Sequence, residues 1–176
     1  MERVSLDFVK GLVRDIPDFP KKGIIFKDIT PALAYPNALA FICDELAKPF
    51  KDQGITKVLA IESRGFFFGT GIAERLGAGL VPVRKAGKLP WECESESYAL
   101  EYGNATLEIH RDAVKRGEKV LLVDDVLATG GTLKASKILA ERLGGDIVGA
   151  ACFLEIGFLK GRTALGSMSM HSLWAL

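Results

Sequence analysis

The chain has few of the residues on which several common chemistries depend. Only two histidines, His110 and His171, occur among 176 residues, and they stand far apart, so neither zinc-ligand spacing nor a hydrolase triad is available. The three cysteines, Cys43, Cys93 and Cys152, share no C-x-x-C spacing, and their odd number argues against a disulfide framework. Cys43 and Cys152 sit in apolar segments and read as small core residues. Cys93 stands among acidic residues, which raise a thiol pKa and make it a poor nucleophile. No apolar stretch exceeds about half a dozen residues, too short for a transmembrane helix. Met1-Glu2-Arg3-Val4 lacks the basic-then-apolar profile of a signal peptide. Basic and acidic residues nearly cancel, 23 against 22, so bulk charge draws the chain to neither nucleic acid nor membrane. Neither G-x-x-x-x-G-K-[ST] nor a G-x-G-x-x-G after a strand occurs. What remains is the expectation of a cytoplasmic protein with one globular domain over residues 1–176, whose 48% hydrophobic content suffices for a core.

Apolar runs of strand length alternate with helical spacing along this chain. Residues 58–61, 80–83, 120–123 and 147–154 are the runs; residues 6–14, 37–50, 66–76 and 133–143 carry the helical pattern. Residues 98–102 and 105–109 alternate around Gly103-Asn104, which predicts a hairpin. The tail from Ser167 alternates Met168 and Met170 and is expected to close a sheet edge. The pattern predicts an α/β fold with a doubly wound, mostly parallel sheet.

The most informative segment is 120–132, VLLVDDVLATGGT. A buried strand meets two carboxylates, Asp124 and Asp125, and then a small-residue loop, Ala128-Thr129-Gly130-Gly131-Thr132, that opens a helix. A plain reading is an acidic strand end and a capped turn. A phosphate site accounts for more of it. Glycines let backbone N–H groups approach an anion, the helix start adds a positive dipole end, and the threonines add hydroxyl donors. Like charge keeps the aspartates off a phosphate, but they suit ribose hydroxyls and a hydrated divalent metal.

Three further segments fit such a site. Glu62-Ser63-Arg64-Gly65 leaves a second buried strand, and strand exits share one edge of a parallel sheet, so Arg64 is a candidate pyrophosphate ligand. Arg84, Lys85 and Lys88 put three cations within five residues at a strand end, and the polar, acidic stretch 91–97 that follows reads as a long flexible loop. Phe26, flanked by the extended stretch GIIFKDITP, suits a flat heterocycle, although a lone aromatic is more often core. Alternating N–H and C=O groups match the N1 acceptor and N6 donor of adenine.

Together FPDFP, GIIFKDITP, ESRGFFFG, RKAGKLP, YALEYG, LEIHRDA, VLLVDDVLATGGT and FLEIGFLKGR resemble the type I phosphoribosyltransferase family, most of the chain being covered. The Asp-Asp–glycine string carries the resemblance to binders of 5-phosphoribosyl-1-diphosphate (PRPP); the FPDFP–GIIFKDITP segment and LEYG point to adenine-using members. The resemblance implies a small N-terminal hood at about 1–34 and a mobile lid loop at about 84–103. It implies that Asp124 and Asp125 bind ribose hydroxyls and that Ala128, Thr129, Gly130, Gly131 and Thr132 wrap the 5-phosphate. Arg64 would contact pyrophosphate, as would Arg84, Lys85 and Lys88, reaching across a homodimer interface. Phe26 would stack on adenine, Ile25 and Lys27 would read it through backbone groups, and Ile156 would pack on its far side. Glu101 and Tyr102 would come down with the lid, Glu101 managing the purine N7 proton; with Arg64 they are the catalytic candidates. Mg²⁺ would be held by PRPP and water near Asp124 and Asp125, with no direct protein ligand.

The chain departs from the family pattern at Trp91-Glu92-Cys93-Glu94, at Ala86, at Lys27 and in the tail 167–171. Two rivals remain open at this stage. A 6-oxopurine enzyme of the same family would invert the donor–acceptor order and use a lysine near the last strand, where Leu154-Glu155-Ile156 stands. A non-catalytic PRPP-sensing regulator would need a basic face or an added DNA-binding module, for which no spare segment exists.

Overall fold

Residues 4–99 and 104–176 are described by a computed structural model, in which the chain divides into two compact units, Met1–Asp44 and Glu45–Leu176. In the first unit, helix α1 (Leu6–Leu12) begins at Ser5, whose Oγ accepts from the Phe8 N–H at 3.3 Å, a side-chain N-cap. The helix is shorter than the predicted 6–14. Val13 is already extended, and Arg14–Pro17 forms strand β1, where a proline after Ile16 favours extended backbone. β1 pairs antiparallel with β2 (Ile25–Asp28), Arg14 opposite Asp28 and Pro17 opposite Ile25. Ion pairs Arg14–Asp28 at 2.6 Å and Lys27–Asp15 at 2.6 Å cross the hairpin. Two helices follow, α2 (Thr30–Ala34) and α3 (Ala38–Ala47). The helix predicted over 37–50 stops at Ala47 and tightens into a 3₁₀ turn, Lys48–Phe50, because Pro49 cannot continue α-helical hydrogen bonding.

The second unit is built on β3 (Lys57–Ile61), α4 (Gly65–Leu76), β4 (Gly79–Lys85), β5 (Cys93–Ala99), β6 (Asn104–His110), β7 (Lys119–Leu127), α5 (Gly131–Arg142), β8 (Asp146–Glu155), α6 (Gly161–Leu165) and β9 (Met170–Ala175). The strand order is β5-β6-β4-β3-β7-β8-β9. β4, β3, β7, β8 and β9 run parallel; β6 and β5 add an antiparallel edge. The expected mostly parallel sheet is therefore present, and the tail closes its edge beside β8. β3 and β7 are fully buried along most of their length, which is why they read as unbroken apolar runs. Leu59, Ile61, Val83, Ile109, Leu122 and Leu139 belong to one continuous core.

The stretch expected as a flexible loop is a strand in its larger part. β5 pairs residue for residue with β6, from Cys93 opposite His110 to Ala99 opposite Asn104. Its partners are polar: Ser97 and Thr106 share a hydroxyl hydrogen bond at 2.8 Å, and Arg142 from α5 pairs with Glu96. An antiparallel edge can be solvated on one face, so a polar sequence does not exclude it. Of the segment 84–99, only 86–92 lies between strands. No helix among the described residues is long and apolar enough to cross a membrane.

Candidate active site

β7 carries the two aspartates inside the strand rather than at its end. It continues through Leu127, and Asp124 and Leu127 still pair with Cys152 and Glu155 of β8. Both carboxylates are consequently buried, Asp124 at 8% and Asp125 at 4% exposure. Burial, and next the charge of Asp125, push the Asp124 carboxyl well above the usual range. Burial raises Asp125 as well, with Arg64 pulling the other way. Arg64 stands at the start of α4, just past the exit of β3, and its Nε lies 2.9 Å from Asp125 Oδ2. That oxygen is buried without a well-directed hydrogen bond among the described residues, so the contact is an ion pair. Gly65 permits the approach: a Cβ there would lie 2.8 Å from the Val123 carbonyl oxygen and 3.1 Å from Asp124 Cα.

Beyond Leu127 the chain turns through Ala128, Thr129 and Gly130 into α5. Gly130 has φ +84°, and a Cβ on it would lie 2.4 Å from the Gly161 carbonyl oxygen, so only glycine fits. It occupies the cap position of α5, and no side chain among the described residues caps that helix, which leaves its first N–H groups to an anion. The Thr132 hydroxyl donates to the Tyr98 hydroxyl at 3.2 Å, joining the loop to β5. A cavity of about 440 Å³ flanks this loop, lined by Glu96, Tyr98, Thr129, Gly131, Lys134 and Ala164 among others. Asp124 and Asp125 are not in its lining.

The basic segment is organised by Glu62, which the sequence reading left without a role. Lys88 Nζ donates to Glu62 Oε1 at 2.6 Å; Arg84 Nε and the Lys85 N–H donate to Oε2 at 3.2 and 3.1 Å. Burial alone would raise the Glu62 carboxyl, but Lys88, the Lys85 N–H and Arg84 outweigh it and hold its pKa below the usual value.

Residues 32–163 match the family model described as a phosphoribosyl transferase domain. An adenine phosphoribosyltransferase of Thermobifida fusca is 55% identical over 161 residues, 92% of each chain. The chain belongs to the adenine phosphoribosyltransferase family. The crystal structure of an adenine phosphoribosyltransferase from Thermoanaerobacter pseudethanolicus superimposes with a TM-score of 0.95 at 49% identity, over 98% of this chain and 100% of that one. A Saccharomyces cerevisiae adenine phosphoribosyltransferase, complexed with an imino-altritol bisphosphate and adenine, gives a TM-score of 0.90 at 38% identity, over 96% of this chain and 97% of that one.

In this member of the adenine phosphoribosyltransferase family, Arg64 just past β3 meets Asp125 within β7, with Asp124 beside it, and residues 128–132 follow the end of β7. Arg84, Lys85 and Lys88 gather on Glu62. Ile156 follows β8, its N–H donating to the Leu127 carbonyl at 2.9 Å. Ile25, Phe26 and Lys27 lie on β2 in the first unit, where the Phe26 ring packs edge-on to Phe19 at 5.1 Å. Glu101 and Tyr102 lie outside the described residues. Cys93 has its thiol pKa raised, first by burial and next by Glu108, in keeping with an unreactive thiol. Nothing local in the sequence marked Glu62, which stands 22 residues from Arg84.

Proposed function

We propose that the chain works as one phosphoribosyltransferase domain in purine salvage, with the roles below assigned to individual residues. As a pentosyltransferase of this family it moves the 5-phosphoribosyl group of PRPP to adenine, giving AMP and pyrophosphate. The observation that carries the residue assignment is the junction of β7 and α5. A turn that only glycine fits at Gly130, opening a helix that no side chain among the described residues caps, follows two buried carboxylates and an arginine. A phosphate, a ribose diol and a pyrophosphate need those three things in that order.

In this reading Ala128, Thr129, Gly130, Gly131 and Thr132 wrap the 5-phosphate. Asp124 and Asp125 accept from the ribose hydroxyls and hold the ring in line for displacement at C1. Adenine N9 displaces pyrophosphate through an oxocarbenium-like transition state. Arg64, with Arg84, Lys85 and Lys88, stabilises the negative charge that develops on pyrophosphate. Ile25 and Lys27 read adenine through backbone groups, while Phe26 and Ile156 sandwich it. Tyr102 closes with the lid and excludes water. Glu101 manages the purine N7 proton. Replacing it, Glu101→Gln, is expected to slow turnover by about tenfold or more with PRPP affinity retained; steady-state kinetics with unchanged turnover would remove that role.

The buried aspartate pair also fits a cation. Asp125 Oδ2 lacks a well-directed donor among the described residues, and both carboxyls are raised by burial. Mg²⁺ carried on PRPP and water would neutralise leaving-group charge, with Asp124 and Asp125 accepting from its water shell. A homodimer is supported by Phe67 of α4 and Leu80 of β4, apolar side chains exposed by 50% and 42%; light scattering on the eluted protein reads the mass. A cytoplasmic setting agrees with three cysteines that form no disulfide and with these substrates.

The decisive assay offers Mg²⁺, PRPP and equal adenine, hypoxanthine, guanine and xanthine, and resolves the nucleotides formed. AMP is the expected product. IMP, GMP or XMP in its place would discard the roles of Ile25, Phe26 and Lys27 while keeping the phosphate site. PRPP binding without any nucleotide would favour a regulator.

A further inference from the structure

Glu62 lies one residue past β3, its own N–H donating to the Val83 carbonyl at 2.9 Å, so it is fixed to the end of β4. Its side chain is 7% exposed, and both carboxylate oxygens are engaged by the basic segment. The segment is tied in other ways too. Arg84 Nη1 donates to the Lys88 carbonyl at 3.1 Å, closing 84–88 into a loop. The Gly87 N–H donates to Glu108 Oε2 at 2.9 Å, anchoring the turn to β6.

A buried carboxylate among residues that must attract pyrophosphate is at first sight a handicap. It repels the anion and occupies two cations. Arg84, Lys85 and Lys88 still outnumber Glu62 and Glu108 by three charges to two, so the cluster keeps a net positive charge of one. The long side chains of Arg84 and Lys88 each lose rotamer freedom on being fixed. Fixing them before the ligand arrives removes that cost from binding. Without Glu62 the two cations would repel each other and spread into solvent.

We infer that Glu62 is a positioning residue, holding Arg84, the Lys85 backbone and Lys88 as a preformed cationic face for pyrophosphate without touching substrate itself. The inference rests on the reading of the basic segment as a pyrophosphate contact. The opposite role is a competitor, a built-in anion that the substrate must displace. The two roles differ in sign.

The test is steady-state kinetics and pyrophosphate product inhibition for wild type, Glu62→Ala, Glu62→Gln and Arg84→Ala, each checked by thermal melting. Positioning predicts that Glu62→Ala raises the PRPP KM and the pyrophosphate inhibition constant by about tenfold. The adenine KM should stay within roughly twofold to threefold, whereas kcat falls with the charge stabilisation that the face gives to departing pyrophosphate. Glu62→Gln, whose amide oxygen still accepts, should fall between, and it serves if the alanine variant fails to fold. A lower PRPP KM in either variant would make Glu62 a competitor and overturn the inference. So would an unchanged PRPP KM, or a loss shared equally by adenine KM and kcat. Arg84→Ala separates the premises: a raised PRPP KM there without an effect at Glu62 removes only the positioning role. An unchanged value removes the pyrophosphate reading of the segment and the inference with it.

Discussion

Two carboxylates buried side by side cost stability unless enough donors surround them, and at Asp124 and Asp125 the balance is unfavourable. Burial is the largest influence on each, and Arg64 with nearby backbone N–H groups only partly offsets it. A carboxyl raised in this way stays protonated in the folded protein at a pH where the unfolded chain has released the proton. Its contribution to stability is present below the ordinary carboxylate range and is lost as pH rises through the elevated values. Asp124→Asn removes that loss and keeps an oxygen to accept the Asp125 N–H. At pH 7 the unliganded variant is expected to be more stable by about 1 kcal/mol, roughly 2–4 °C in melting temperature. The gain should shrink as pH falls through the elevated values, where the wild-type carboxyls protonate anyway. AMP formation should fall by about a hundredfold or more, since the ribose loses its charged acceptor. Calorimetry across pH checks the first part, and a melting temperature that does not move would mean the carboxylate carries no such cost.

The end of β8 shows how one element holds several others. Glu155, buried at 8% exposure, receives Arg162 Nε and Nη2 at 2.7 Å each, and the Ser172 hydroxyl of β9. Arg162 also donates to the Met170 carbonyl at 2.9 Å, so α6, β8 and β9 meet on one ion pair. Arg162 lowers the Glu155 carboxyl, burial raises it, and Ser172 lowers it further, leaving it below its usual value. The stability this contributes is present above the ordinary glutamate range and is lost as pH falls through the folded value. Arg162→Met strands the carboxylate; because the guanidinium is half exposed, the loss should be about 1–3 kcal/mol, less than for a fully buried pair. Urea unfolding at pH 7 and at acid pH tests it, with the deficit expected to shrink as Glu155 protonates. Neither this staple nor Glu62 was legible in the sequence, because each joins residues that only the fold brings together. β3, β7 and β8 were legible because burial on both faces demands continuous apolar runs. β5 was misread for the complementary reason: its polar residues are satisfied by Thr106 of β6 and Arg142 of α5. The Asp-Asp–glycine loop was legible because its chemistry is local, but its aspartates lie deeper in the strand than their sequence suggests.

Across the whole molecule, the residues assigned to sugar, phosphate and pyrophosphate all belong to Glu45–Leu176, whereas those assigned to the base on β2 belong to Met1–Asp44. In the proposed assignment PRPP recognition falls largely to the second unit, which also holds its most unfavourable feature, the paired aspartates. A ligand that satisfies those carboxylates should return what their burial costs. Free ligand at a hundred times its Kd stabilises a folded protein by about 2.7 kcal/mol, which exceeds the ~1 kcal/mol expected from removing one carboxylate. Melting temperatures of wild type and Asp124→Asn should then change order. The variant melts higher without ligand and lower with saturating Mg²⁺ and PRPP, where wild type should gain about 5–10 °C. Thermal melts of both proteins with and without PRPP measure this directly. If the variant remained the more stable protein under saturating PRPP, the aspartates would not be ligand contacts. If wild type gained nothing, the phosphate site on which the functional reading stands would be wrong.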